Sequence, residues 1–281
     1  GWSQAGIFIG GVFTGASTVW LSGHASGKIV ALVAATLIAA PSFVALTIDE
    51  PQPEIASWSR HFAEMLCDVR ATLARRDVWL GLVFFLSPIG AGALMYLFSG
   101  IASDFRASTA VIVWSVVLGG ALTPIGALIG GIVCDRFDRW LVYPAAGLIA
   151  ALSAGVMAFA TLSPATFLAG ASAYALSVGF CYAAFMALAF QLVGPSSAAS
   201  GTRFTLFMAA VNVPVVYMLR LDGWGHARHG VRAMLAVDAL SNAVFGVLFL
   251  LILYVTNAHA RVAGRTDSES APTSRSMSST L

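Results

Sequence analysis

The sequence predicts an all-α protein, a polytopic membrane bundle of about eight transmembrane helices, and three observations carry that reading. Of its 281 residues 58% are hydrophobic and only 10% are charged, less than half the charge of soluble domains at about 25%. The apolar residues gather into eight runs, 2–22, 29–48, 78–98, 109–133, 141–161, 165–192, 204–221 and 234–256, each near the roughly 20 residues that a helix needs to cross a bilayer. The runs do not alternate with period two, and a lipid-embedded backbone that is not a closed barrel must be helical. A lipid bilayer is therefore the expected solvent.

The first run, GWSQAGIFIGGVFTGASTVWL, pairs Gly6 with Gly10 and Gly11 with Gly15, a spacing that lets helix backbones approach closely. A polar link at 22–28 leads into the second run, which the acid and proline cluster Asp49-Glu50-Pro51-Gln52-Pro53 stops. Between 56 and 77, Trp58, Phe62, Leu66, Val69 and Leu73 recur at three- and four-residue steps, with Arg60, Glu64, Asp68, Arg70 and Arg75 between them. That pattern predicts an amphipathic helix at the membrane interface, with a partner-binding helix as the alternative. Run three carries Ser87-Pro88, Gly90 and Gly92, which predict a kink in mid-membrane, and ends with Tyr96 and Ser99. Thr123-Pro124 lies in the fourth, which Gly126, Gly130 and Gly131 finish.

The fifth and sixth runs meet at an uncharged turn around Ser163-Pro164, and the sixth ends with Gln191 and Gly194-Pro195. The seventh starts near Arg203 and holds Asn212, Pro214 and Tyr217, and a basic loop at 220–232 separates it from the eighth. The polar Ser/Thr-rich stretch 257–281 reads as a disordered tail. With no initiator Met and no charged leader before the first run, the protein's beginning is expected upstream of Gly1.

Several function classes drop out. Cys67, Cys134 and Cys181 share no metal-ligand or redox spacing, so they read as packing residues or loop thiols, and no metal or cofactor is expected. His24, His61, His226, His229 and His259 all fall in links or the tail, away from any buried nucleophile they could activate, so an enzyme is not expected. The single lysine, Lys28, leaves no phosphate loop and no ATP-driven pumping. The net charge of +2 sits in loops beside spans and points to no nucleic-acid partner. Basic residues near span ends orient the chain: with the start inside, ten are cytoplasmic and Lys28, Arg106, Arg220, Arg228 and Arg232 are outside. Both termini are thus expected in the cytoplasm, with 220–232 the discordant element.

The charged turn after the fourth run, Asp135-Arg136-Phe137-Asp138-Arg139, invites a gating role. A carboxylate there can accept from the free amides of a neighbouring helix start, and Arg136 and Arg139 can pair with acids or helix-end carbonyls. Such contacts would close one face and break when it opens; the alternative is a solvated turn. The stretch Gly131-Ile-Val-Cys-Asp135-Arg136-Phe-Asp-Arg139 resembles the G-x-x-x-D-R-x-x-R loop signature of the major facilitator superfamily, with Asp138 in place of the family's usual glycine. The link Ala-Ser-Asp104-Phe-Arg-Ala-Ser108 and the run Thr205-Leu-Phe…Asn212-Val-Pro214…Tyr217-Met…Leu221-Asp222-Gly223 resemble its peptide, acetyl-coenzyme A and drug transporter branch, which includes muropeptide permeases.

The resemblance implies a layout. Residues 1–48 would be the last two helices of a first six-helix half, 49–77 the central cytoplasmic loop, 78–256 a complete second half and 257–281 the tail. It also implies that Gly131, Asp135, Arg136 and Arg139 form a gating loop, with Asp135 facing Trp2-Ser3-Gln4. Polar groups inside a bilayer are costly and usually face a cavity or a neighbour. They are Tyr96, Ser99, Tyr174, Ser177, Tyr182, Gln191, Asn212, Tyr217 and Asn242. The family's cavity is lined by the first and fourth helices of each half, which favours Tyr96, Tyr174, Ser177 and Tyr182. Asn212, beside Pro214, has the alternative of satisfying carbonyls that the proline frees. Asp238, the only acid inside an apolar run, reads as a snorkelling or first-turn acid, with proton carriage as the alternative. The expected function is secondary active transport of a small solute across a bacterial inner membrane, by alternating access and with protons as the coupling partner. A scaffold, sensor or truncated remnant that keeps the fold without transporting is the alternative.

Overall fold

A computed structural model describes residues 24–40, 73–194 and 200–269 continuously, with scattered positions in 10–21 and 62–71 and residue 43. The first run and most of the expected interfacial helix over 56–77 lie outside the described residues, as do Trp2, Ser3 and Gln4. Among the described residues the chain is helical, without strands.

Helix α1 (Gly27–Ala39) follows an extended Ser26 and buries none of its side chains. The third run is two short helices, α2 (Arg76–Phe85) and α3 (Ala93–Ile101), and a 3-10 turn, Ala102–Phe105, closes it. Then come α4 (Thr109–Arg136), α5 (Arg139–Phe159), α6 (Pro164–Val193), α7 (Ser200–His229) and α8 (Val231–Glu269). Among the described residues α4 to α8 are the five helices long and apolar enough to cross a membrane, α8 by its stretch Val231–Thr256. The protein is an integral membrane helix bundle.

Local chemistry sets the helix ends. Asp138 caps α5 by accepting from the Trp140 amide at 3.0 Å, and Ser163 caps α6 by accepting from the Thr166 amide at 3.2 Å, with Pro164 in the first turn. Two ends differ from the sequence expectation. The basic loop at 220–232 is helix up to His229, and the turn is confined to Gly230 at φ +78°. Helix α8 keeps its helical backbone to Glu269, beyond the expected span end at 256.

Helix α6 is the hub, packed against α4, α5, α2, α7 and α3. It has 67% of its apolar window buried, against 33% for α4 and 28% for α7 and α8. In lipid this cohesion comes from close packing rather than escape from water, so small residues mark the contacts. A side chain on Gly126 would strike the Leu176 carbonyl, and one on Gly179 the Thr123 carbonyl. A Cβ on Gly130 would lie 2.8 Å from the Phe180 carbonyl. Backbone meets backbone along α4 and α6. The α5–α8 contact is similar, since a Cβ on Gly246 would lie 3.0 Å from the Pro144 carbonyl.

Two aromatic layers fill the interior. The first holds Phe84, Phe85, Tyr143, Phe185, Phe207 and Phe249 near the α4–α5 turn. There Phe84 stacks on Phe249 at 3.9 Å, and Phe85 meets Phe185 edge-on at 4.8 Å. The second holds Phe98, Phe105, Met157, Phe167, Tyr174 and Leu235 toward the Gly230 turn. The break between α2 and α3 lies where the layers meet, with Ile89 in the first and Leu94 in the second. Outside, Trp114, Val116, Leu152 and Leu251 are more than half exposed, an apolar surface suited to lipid.

Candidate functional site

The break over 86–92 is the one stretch of irregular backbone within a buried part of the bundle, among the described residues. Pro88 has no amide hydrogen to donate, and Gly90 and Gly92 both sit at φ +66°, where only glycine is comfortable. Gly90 also has no room for a side chain: its Cβ would lie 2.6 Å from that of Cys181 on α6. The expected kink is thus a full interruption. It leaves backbone groups without helix partners, and in hydrocarbon each unsatisfied group would cost several kcal/mol.

Three other helices supply the partners. Tyr217 on α7 donates to the Leu86 carbonyl at 2.9 Å. Tyr143 on α5 donates to the Ile89 carbonyl at 3.2 Å. Asn242 on α8 accepts from the Gly90 amide at 3.1 Å. Ser87 itself donates to the Phe84 carbonyl at 2.5 Å. Non-helical backbone at membrane depth is tolerated only where protein buries it or it lines a cavity.

Asn242 links the break to a buried acid. Its amide nitrogen donates to Asp238 Oδ1 at 3.2 Å and to the Asp238 carbonyl at 3.0 Å. The Asp238 carboxyl, 0% exposed, also accepts from the Tyr174 hydroxyl at 3.1 and 3.3 Å. Tyr174 is itself fixed, edge-on to Phe98 at 5.7 Å, and Ser177 donates to its carbonyl at 2.7 Å. Asp222 on α7 is a second buried acid, 0% exposed, eight residues before Gly230 as Asp238 is eight after it, on two helices that pack together. Among the described residues neither of its carboxyl oxygens has a hydrogen-bond partner. One turn along α7, His226 Nε2 meets Asp104 Oδ2 at 3.2 Å, and both side chains reach solvent. Such a site can take up and release a proton or face a small cation. No group of three or more His, Cys, Asp or Glu placed to hold a metal ion occurs among the described residues.

The structure separates the sequence-identified candidates into two sets. Tyr174 and Ser177 belong to this network. Tyr182 is half-buried and lies edge-on to Phe185 at 5.8 Å in the first aromatic layer. Tyr96 is 70% exposed, and Ser99 and Gln191 are exposed as well. Asn212 is exposed and donates to the Met208 carbonyl of its own helix at 2.6 Å. These last four do not meet the network.

In the charged turn, Gly131 is half-buried near the end of α4, while Asp135 and Arg136 are exposed. Arg139 donates to the Ala187 carbonyl of α6 at 3.4 Å. The expected partner of Asp135, Trp2-Ser3-Gln4, lies outside the described residues.

Asp222 and Asp238 are the residues that sequence reasoning did not bring to the site. Asp238 does not snorkel; its carboxyl turns inward to Tyr174. The available signal was its position inside an apolar run, where an ionisable group faces the bundle interior more often than lipid. Asp222 reads as a loop residue in the sequence because Arg220, Arg228 and Arg232 surround it. Compared with protein-family models and with curated proteins, the chain matches none. The arrangement itself is then the conclusion: an integral membrane bundle with two buried acids, one of which, Asp238, is joined by Asn242 to a broken helix.

Proposed function

We propose that this chain belongs to a secondary active transporter of a small solute, of the major facilitator type, working by alternating access and driven by a proton gradient. The observation that carries the reading is the broken helix at Gly90 together with the buried acid Asp238, tied to it through Asn242. Interrupted helices near the membrane midplane are where transporters build their binding sites, and ionisable groups inside the bilayer mark ion and solute pathways. The 131–139 resemblance supplies the superfamily, with 78–256 as its second half, 49–77 as the central loop and both termini in the cytoplasm of a bacterial cell. Tyr174 and Ser177 are the pathway residues that geometry favours. Exposed Tyr96 and Ser99 on α3 would line the wall turned toward a first half. Gly131, Asp135, Arg136 and Arg139 form the gate on the α4–α5 face.

The test is uptake into proteoliposomes of a solute found by thermal-shift screening of peptides, sugars, drugs and siderophores. The full-length protein is expected to give saturable, gradient-driven uptake, and Asp135→Asn to slow it several-fold without changing membrane insertion. Wild-type uptake by the variant would remove the turn from the mechanism. Absence of uptake for every solute that shifts the melting temperature would leave the scaffold or sensor reading instead.

A further inference from the structure

We infer that Asp222 and Asp238 form one proton-exchange site, entered from the Gly230 end past His226 and Asp104 and connected to the helix break through Asn242. This deepens the transport reading and rests on it for its use, but not for its chemistry.

Both acids are closed to solvent, and they are unequally served. Asp238 is set up as an acceptor, with the Tyr174 hydroxyl and the Asn242 amide aimed at its oxygens. Asp222 has no donor and no cation near its oxygens among the described residues. Two carboxylates in a dry space, one of them with nothing to stabilise its charge, form an unbalanced site. One proton on the pair removes the imbalance. The pair goes from two negative charges to one, and Asp222 becomes a carboxylic acid whose O–H can donate. Only an O–H bond is made on uptake, and only that bond is broken when the proton returns to water.

A sodium ion fits less well. A hard cation needs several oxygen lone pairs converging on it, whereas Tyr174 and Asn242 turn their hydrogens toward Asp238. Access also suits a proton. Asp222 and Asp238 each lie eight residues, just over two helical turns or roughly 12 Å, inside the Gly230 turn. His226 is four residues past Asp222 on the same helix face, and its imidazole meets Asp104 where both side chains are more than a third exposed. The remaining titratable or charged groups nearby are Cys181 on α6, buried against Gly90, and Arg232 at the head of α8. The Arg232 guanidinium is engaged with the Ala158 and Ala160 carbonyls at 3.2 Å and does not neutralise the pair.

The connection to the break follows from Asn242, which donates to Asp238 and accepts from the Gly90 amide. A proton that changes what Asp238 accepts therefore changes the pull on the one side chain that holds the Gly90 amide.

Infrared difference spectroscopy on the full chain in lipid nanodiscs, stepped in pH, reads the site without any solute. A carboxylic C=O band that disappears as pH rises is expected in the wild type. It should be lost in Asp222→Asn, disappear at lower pH in Asp238→Asn, be retained in the exposed control Asp135→Asn, and be shifted in frequency in Tyr174→Phe. Asp222→Asn removes only an unpartnered group, so its melting temperature should match or exceed the wild type's and its spectrum can be read even if Asp238→Asn unfolds. A band that survives Asp222→Asn, or that sodium chloride erases at constant pH, would overturn the proposal. The band with the expected losses but no gradient-driven uptake would sink the transport reading and leave this site standing; uptake without the band would do the reverse.

Discussion

Gly90 combines three demands, two of which only glycine meets. Its backbone is at φ +66°, its amide feeds Asn242, and a Cβ would stand 2.6 Å from that of Cys181. Left-handed strain alone costs an L-residue about 1–2 kcal/mol, and the contact adds to it. Gly90→Ala should therefore lower the melting temperature by several degrees, and Cys181→Gly in the same background should restore only the steric share. Gly92→Ala is the milder comparison, with the same φ but Val178 Cγ1 at 3.2 Å as the nearest obstacle. At this scale the sequence was partly legible. The Ser-Pro and two glycines announced a disturbance in the third run, because their backbone chemistry is local. The roles of Asp238 and Asn242 were not legible, because Tyr174 is 64 residues from Asp238 and Gly90 is 152 from Asn242. Hydropathy records an acid in an apolar run as a penalty and does not say which way its carboxyl turns.

Among elements, the α4–α6 contact is the one that side-chain volume controls most directly. Gly126→Ala and Gly179→Ala each push a methyl into a carbonyl of the opposite helix. Neither obstacle is a flexible side chain, so a whole helix must move. Both variants should melt well below the wild type. Gly100→Ala, where nothing lies within 4 Å of the new carbon, should be neutral or gain up to about 1 kcal/mol from better helix propensity. A Gly126→Ala protein as stable as Gly100→Ala would contradict the close crossing. The positions of α4 to α8 were readable in the sequence because lipid length and apolar length must agree. The extension of α7 to His229 was not, since its basic residues imitate a loop. What holds it helical is one local contact, Arg228 over the Trp224 ring one turn back at 5.3 Å, and two tertiary ones: His226 meets Asp104, and Gly225 allows α8 to approach.

For the whole molecule, the order of spans fixes sides. The α4–α5 turn must lie on one face and the α7–α8 turn on the other, because α5, α6 and α7 each cross once between them. In a Cys67→Ser background, with Cys134 and Cys181 buried, cysteines at the exposed positions Phe137 and His229 should react with a membrane-impermeant maleimide from opposite sides. Labelling from the same side would break the topology. That five helices have the length and hydropathy to span was written in the composition, but the central place of α6 was not. In lipid, packing and not hydropathy chooses the hub, and only a scatter of small residues such as Ala175, Gly179 and Ala183 hinted at it. The break at Gly90 has a last consequence, in the order in which the chain is made. Residues 76–105 leave the ribosome before Tyr143, Tyr217 and Asn242 exist, yet those three side chains complete the hydrogen bonding of 86–90. Until Asn242 is synthesised, the Gly90 amide must stay in water or within the insertion machinery, so this segment is translated before the helices that complete it and takes its final place in the bilayer after them.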